Sequence, residues 1–291
     1  MNGLILADKP SGISSFGAVA AIRRIYSEKR AGHTGTLDPL ATGVLPVLIG
    51  RATRLCGYVT EQDKRYLACI RLGITTDTLD ITGKVISESA VDVSDEELGG
   101  VLRSFIGEYM QVPPMYSAIK KNGKKLYELA RSGEEIVREP RKVRINFIDL
   151  IERNGSDLTV DVGCSKGTYI RSLADDIGRA LGCGAVMTAL RRTETAGFSI
   201  CECASIEMIE SDPKRFLLPA HLAVPQFGNI NITAKQAERF MNGGELSADR
   251  INIPDCGGET FKVFGNKEFL GLGELDKAAG SLRVKCVIAE R

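Results

Sequence analysis

The apolar and polar positions of the chain change period many times, and each change marks an element. Gly3 to Ala7 is a short apolar run stopped by Asp8-Lys9-Pro10, a strand running into a turn. Phe16, Val19, Ile22 and Tyr26 then recur at helical spacing, and Ser14 or Ser15 can cap that helix. Tyr66 to Leu72 reads as a strand, and the segment after it as a loop followed by a strand. Ser94 with Glu97 forms a capping box before a helix reaching about Ile106. Arg144 to Glu152 and Leu158 to Gly163 alternate as two strands, with Asn154-Gly155 as the hairpin turn between them. Gly167 to Leu181 starts a helix, and Ala185 to Leu190 forms a strand ended by Arg191-Arg192. Past a break at Pro225 to Asn229 come a helix over Thr233 to Met241 and strands around Phe261–Phe264, Glu268–Leu272 and Leu282–Ala289. Strands and helices without regular alternation predict an α+β fold. The break predicts two domains, residues 1–228 and a small, mostly β module over 229–291.

Composition narrows the class. The chain has 291 residues, 43% hydrophobic and 26% charged, as expected for a globular protein with a sizeable core. Its start lacks a basic segment before an apolar run, and no stretch is long and apolar enough to span a bilayer, so a cytoplasmic protein is expected. The eight cysteines make no C-x-x-C pair and the two histidines, His33 and His221, stand apart, which predicts reduced, mostly buried thiols and no zinc site. No phosphate-binding G-x-x-x-x-G-K-[ST] loop or dinucleotide fingerprint occurs. The expected chemistry therefore runs without metal, nucleotide or redox cofactor.

Two stretches carry candidate chemistry. From Arg30 to Arg54, Gly32, Gly35, Gly43 and Gly50 surround a single carboxylate, Asp38, placed before Pro39. A residue before proline is held extended, so Asp38 sits on restrained chain ahead of the apolar run Val44 to Ile49. By composition alone these are also ordinary turn formers. The second stretch is basic: from Pro114 to Arg144 nine lysines and arginines face four glutamates, in a chain whose net charge is +1. Tyr116 and Tyr127 are interleaved with those charges, Lys120 among them, a mixture that suits RNA phosphates and bases. A solvated, lysine-rich loop has the same composition. Arg171 lies at the start of a helix, a poor place for a cation unless an anion pairs with it.

The string GHTGTLDPLATGVL closely resembles the catalytic motif of the bacterial tRNA pseudouridine synthase B family. DKPSGISS, KRYLACIRLGITTDTLD, PPMYSAIKKNGKKLYELAR and CSKGTYIRSLADDIG resemble further blocks of that family, in family order. The resemblance implies isomerisation of uridine 55 in the T loop of tRNA, without cofactor. It implies Asp38 as the catalytic aspartate, Tyr66 as the tyrosine packing on the target base, and Arg171 as the arginine paired with the aspartate. His33 matches a histidine near the flipped nucleotide, Asp80 an acidic residue of that pocket, Arg54 a basic position and Leu190 a pocket-lining leucine. Residues 113–144 resemble a segment that closes over the T arm. The family further implies a large, mainly antiparallel central sheet, a PUA-like RNA-binding module at the C-terminal end, and a monomer acting without guide RNA. A non-catalytic RNA-binding or RNA-chaperone protein is the alternative. A small-molecule enzyme is disfavoured, because a carboxylate at the centre of a glycine loop makes a poor anion cradle.

Overall fold

The computed structural model describes residues 1–59, 62–117, 120–121, 124–125, 136–254 and 258–289. Strand β1 (Gly3–Lys9) leads into a helix (Ser15–Ile25), then β2 (Ala31–His33) and β3 (Thr42–Ile49). A 3-10 turn (Gly50–Leu55) precedes β4 (Lys64–Leu72), the hairpin β5 (Ile74–Thr76) and β6 (Val85–Glu88), and a helix (Asp95–Ser104). Next come β7 (Gly107–Gln111), the short pair β8 (Lys120–Lys121) and β9 (Lys124–Lys125), then β10 (Arg141–Asn154) and β11 (Asp157–Cys164). A helix (Ile170–Ala180) leads to β12 (Ala185–Thr195) and β13 (Phe198–Ser199). The C-terminal module holds β14 (Gly228–Ile232), a helix (Ala234–Met241), β15 (Leu246–Ser247), β16 (Thr260–Gly265), β17 (Glu268–Asp276) and β18 (Ser281–Val287). Contacts group the chain into two compact units: Met1–Pro39, Val44–Glu61 and Ala196–Arg291 form one, and Leu40–Gly43 with Gln62–Thr195 the other.

The second unit is built on an antiparallel sheet ordered β12-β4-β11-β10-β7. Its alternation is visible in β4, where Tyr66, Ala68, Ile70 and Leu72 are buried and the residues between them are half-buried. The helix Ile170–Ala180 packs against β12 and β4 and buries Ile170, Leu173, Ala174 and Ile177. On the opposite face of β4, Arg65 bridges Asp161 (2.6 Å) and Glu194 (2.9 Å), and Arg71 bridges Asp157 (2.7 Å). Thr42 and Gly43 run parallel to Arg191 and Arg192, and the approach is close. Gly43 has φ +105°, and a β-carbon there would lie 2.2 Å from the Arg192 carbonyl oxygen. Only glycine fits.

In the first unit β2 pairs antiparallel with β3, and β1 lies beside β3. The first helix covers one side with Ala18, Val19, Ile22 and Tyr26, against Ile5, Ala7, Leu45, Val47 and Ile49. The other side of these strands belongs to a cluster in which Leu4, Val44 and Leu48 join Leu272 and Ile288 of the C-terminal module. The module has a further core of its own, with Phe240, Phe261, Val263 and Leu282. Among the described residues no helix is long and apolar enough to cross a membrane.

Four expectations need correction. Phe16, assigned by spacing to the buried helix face, is 72% exposed, because the helix buries Ser15 and Ala18 there instead. The β10–β11 turn is Gly155-Ser156, one residue later than expected: Asn154 still pairs with Asp157, and Gly155 takes the left-handed conformation (φ +60°). Strand β12 does not stop at Arg191-Arg192 but carries both residues through to Thr195. Of the seven described cysteines, all free thiols, only Cys164 and Cys183 are buried and Cys201 is exposed. Burial pushes the thiols of Cys56 and Cys164 up to about 11, which keeps both protonated and inert at neutral pH.

Candidate active site

Asp38 stands in the irregular segment between β2 and β3, half-buried, with anchors on either side of it. On one side, Ser15 in the first turn of the first helix donates its hydroxyl to the Leu37 carbonyl (2.9 Å) and accepts the Leu37 N–H (2.8 Å). On the other, the Pro39 carbonyl accepts the N–H of Gly12 (2.9 Å) and a longer contact from Lys9 Nζ (3.4 Å). Lys9 is fully buried, and its ammonium also donates to the carbonyls of Pro10 (2.8 Å) and Ile13 (2.7 Å). A buried cation is tolerated only with such partners, so Lys9 ties the turn after β1 to the aspartate loop. Sequence reading places Lys9 in the turn after the first strand and offers Ser15 as a possible helix cap, with no link from either to Asp38. Their types and spacing look like a strand end and a cap, and only the fold brings them to Asp38.

His33 ends β2, beneath the same loop. Its Nδ1 accepts the Gly35 N–H (3.3 Å), and its ring meets the Phe16 ring edge-on, with centroids 5.4 Å apart. Nδ1 acting as an acceptor puts the proton of the neutral imidazole on Nε2. Arg54, on the 3-10 turn, is directed elsewhere: its Nη1 donates to the Val287 carbonyl at the end of β18 (2.7 Å). It is an exposed cation tied to the C-terminal module.

The second unit gathers a separate set. Arg171, the second residue of the helix Ile170–Ala180, is 4% exposed. Its guanidinium donates to the carbonyls of Thr78 (3.1 Å) and Tyr116 (2.9 Å), and lies 3.8 Å from the Asp80 carboxylate. Asp80 places an anion beside this cation at the helix start. The other oxygen of Asp80 accepts from the Thr78 hydroxyl (2.9 Å) and from the Thr82 N–H (3.0 Å) and hydroxyl (2.5 Å). Leu79 reaches this loop with φ +62°, a left-handed conformation that costs a leucine roughly 1 kcal/mol or more. Hydrogen bonds from Met187 N–H to the Leu79 carbonyl (3.3 Å) and from Ile81 N–H to the Met187 carbonyl (2.9 Å) hold the loop on β12. The helix start itself is fixed by buried Gln111, which exchanges hydrogen bonds with the Tyr169 backbone (2.8 and 3.1 Å).

Tyr66 and Leu190 share one sheet face. Tyr66 pairs with Arg192, and Leu190 with Ala68, so the two are diagonal neighbours across β4 and β12, 6% and 8% exposed. Arg192 is fully buried on that same face, and it was read from sequence only as a strand end. Lys64, two residues before Tyr66, has its pKa lowered by burial first and by Arg192 second. Two cations thus border the tyrosine, a positive setting for a phosphate-bearing ligand. Of Tyr116 the arrangement uses the carbonyl. The side chain of Lys120 lies outside the described residues, as do residues 118–119, 122–123 and 126–135 of the basic segment; Lys120 and Lys121 pair through their backbone with Lys125 and Lys124. Among the described residues no three His, Cys, Asp or Glu side chains form a metal-holding group.

Comparison with known proteins gives one answer. The profile of "TruB family pseudouridylate synthase (N terminal domain)" matches residues 23–170, and "tRNA pseudouridylate synthase B C-terminal domain" matches residues 171–223. A protein named tRNA pseudouridine synthase B from Azoarcus sp. (strain BH72) is 44% identical over 99% of this chain and 95% of its own length. Another of that name, from Clostridium tetani, is 42% identical over 95% of this chain and 96% of its own. Among solved structures, a chain of an H/ACA RNP bound to a substrate RNA containing 2′-deoxyuridine aligns with TM-score 0.74 and 26% identity, over 99% of this chain and 86% of its own. An archaeal box H/ACA sRNP Nop10-Cbf5 complex gives TM-score 0.73 and 27% identity, with the same coverage. The expected synthase fold, with its mainly antiparallel sheet and C-terminal β module, is the one observed. From these matches the chain belongs to the TruB family of pseudouridylate synthases, which are isomerases.

Proposed function

We propose that this enzyme converts uridine 55 in the T loop of tRNA to pseudouridine, with Asp38 as the reacting carboxylate. One observation carries the assignment of Asp38. The residues immediately before and after it are fastened, Leu37 by Ser15 and Pro39 by Gly12 and Lys9, while Asp38 itself stays half-buried. A carboxylate on a loop held at both ends is pre-organised for attack or proton transfer. The names of the relatives support tRNA as substrate.

The reaction breaks the N1–C1′ bond, turns the uracil, and forms a C5–C1′ bond. C5 gives up its hydrogen as a proton and N1 ends protonated, so the change is a net isomerisation with no electrons gained or lost. Asp38 acts as nucleophile toward sugar or base, or as base toward a sugar proton. Tyr66 packs on the uracil while it turns, with Leu190 as its apolar neighbour. Arg171 supplies the cation of the centre, with Asp80 holding its position. His33 stands where the extruded nucleotide enters, and extrusion costs a few kcal/mol that phosphate contacts offset. Residues 113–144, including Tyr116 and Lys120, close on the T arm. Arg54 and the PUA-like module over 229–291 bind RNA outside the T loop. The enzyme works as a cytoplasmic monomer, without cofactor or guide RNA.

The test is tritium release from tRNA labelled at uridine C5, using purified protein with no other RNA. Wild type should release tritium, Asp38→Asn should not, and a transcript with cytidine at position 55 should give none. Release by Asp38→Asn would remove Asp38 from the chemistry. Release undiminished by the change at position 55 would move the target.

A further inference from the structure

The proposed reaction leaves Phe16 unexplained. A phenylalanine 72% exposed gains nothing for the fold, yet it occupies the second position of a helix whose first residue, Ser15, anchors the aspartate loop. Its ring meets the His33 ring in a T-shaped contact, with centroids 5.4 Å apart at an interplanar angle of 79°, while most of the side chain stays open to solvent. Along the same helix stripe, four and seven residues on, follow exposed Ala20 and Arg23, with Arg24 beside them. Ala20, Arg23 and Arg24 line a shallow concavity of about 350 Å³ together with Ser27, Lys29 and Glu28, whose carboxylate is engaged by the Met1 ammonium (3.1 Å), so the cations prevail there. Seven residues of helix span about 10 Å. An exposed aromatic ring followed by a small residue and then guanidiniums is an arrangement that seats single-stranded nucleic acid: the ring stacks a base, and the cations take the phosphates that follow.

We infer that Phe16 is a stacking platform for an unpaired base of the RNA substrate flanking the target uridine, with Arg23 and Arg24 binding the phosphates of the strand that leaves it. This rests on the RNA-modifying function proposed above and adds a recognition residue to it. Phe16 contributes to substrate affinity and takes no part in bond making.

The experiment measures KM and kcat by tritium release for wild type, Phe16→Ala, Phe16→Leu and Phe16→Trp. The substrates are T stem-loop RNAs in which each unpaired nucleotide other than the target is made abasic in turn. Stacking of one base is worth roughly a 5- to 100-fold change in affinity, so Phe16→Ala should raise KM by that factor and leave kcat little changed. Phe16→Trp should restore KM, and Phe16→Leu should not. One abasic position should weaken wild type by a similar factor and have no further effect on Phe16→Ala. Because the side chain is exposed, all variants should melt with wild type. A KM for Phe16→Ala equal to wild type would overturn the inference, as would full restoration by leucine or the absence of any coupled abasic position. Failure of wild type to release tritium from any RNA would instead sink the proposed function. Anisotropy measurements of affinity for the same RNAs would still decide Phe16.

Discussion

Replacing Ser15 by alanine removes one oxygen and tests whether the fastening of the aspartate loop matters for turnover. Ser15 is 1% exposed, and its hydroxyl makes both hydrogen bonds to Leu37, itself 3% exposed. Its loss leaves a buried N–H and a buried carbonyl without that partner, about 1–3 kcal/mol for each group, with the lower end applying where the loop relaxes. Alanine recovers about 0.5 kcal/mol through its better helix propensity. The net cost is therefore about 1.5–5.5 kcal/mol, and in a chain of this size the melting temperature should fall by about 3–20 °C, with the smaller values where the loop relaxes. Because the tether attaches one residue before Asp38, the carboxylate gains freedom that its proposed role as the reacting group cannot tolerate. Misplacement of about 1 Å can cost about 100-fold in rate, so kcat should drop roughly 10- to 100-fold, with KM nearly unchanged.

Ser14 is the control. It caps the same helix by accepting the Gly17 N–H (3.0 Å), and it is exposed. Ser14→Ala should cost about 1 kcal/mol of stability and leave kcat alone. Tritium release under saturating tRNA, measured well below both melting temperatures, separates the two variants. Equal kcat for Ser15→Ala and wild type would refute the reasoning, since the loop would then hold Asp38 without its anchor. The adjacent residues Ser15 and Phe16 thus carry opposite expectations, one in kcat and the other in KM.

Further outcomes follow from the second unit. Arg171→Lys keeps the charge, but a single ammonium cannot reproduce the planar fork spanning the Thr78 and Tyr116 carbonyls. Activity should fall at least 100-fold and stability by about 3–5 kcal/mol, measured by tritium release and urea unfolding. Gly43→Ala would drive a β-carbon into the Arg192 backbone, at 2.2 Å from its carbonyl oxygen and with φ +105°, so the variant should lose more than about 4 kcal/mol or accumulate insoluble. Asp176 has its pKa raised to about 6, by burial first and by neighbouring Asp175 second. A carboxyl raised in the native state binds more protons folded than unfolded, so its contribution to stability falls as pH rises from about 4 through 6. Asp176→Asn should therefore raise the melting temperature above pH 6 and flatten the profile between pH 4 and 6, as scanning calorimetry across that range would register.

How much of this was legible in the sequence depends on the range over which each residue acts. Local signals read well. The Ser94–Glu97 capping box, the helix expected over Thr233 to Met241 and the strand expected over Tyr66 to Leu72 are decided by neighbours within a few residues, and the structure has all three, the last two as Ala234–Met241 and Lys64–Leu72. Errors arose where a distant partner overrides the local pattern. Phe16 fits the helical apolar spacing yet is exposed, because the residues that bury the helix, such as Ala18 and Ile22, are selected by β1 and β3 rather than by spacing alone. Arg191-Arg192 looked like a strand end because adjacent arginines rarely enter a core; β12 continues because Thr42 and Gly43 pair with those two residues. The same distinction divides the site. Asp38 stood out on its own loop, and the resemblance named Tyr66, Arg171 and Asp80. Lys9 and Ser15, which fix the loop, look like any turn lysine and any capping serine.

That contrast also separates the residues that react from those that hold them. A reacting group must be a particular chemical type, and type is visible in a sequence. A holding group need only present an N–H or O–H at the right place, and place belongs to the fold. Lys9 reaches three carbonyls from three positions of the chain, Pro10, Ile13 and Pro39, and no spacing rule connects the last to the first two. Variants of these holders should therefore lower turnover while leaving the reacting groups intact, a pattern that losing Asp38 itself would not produce.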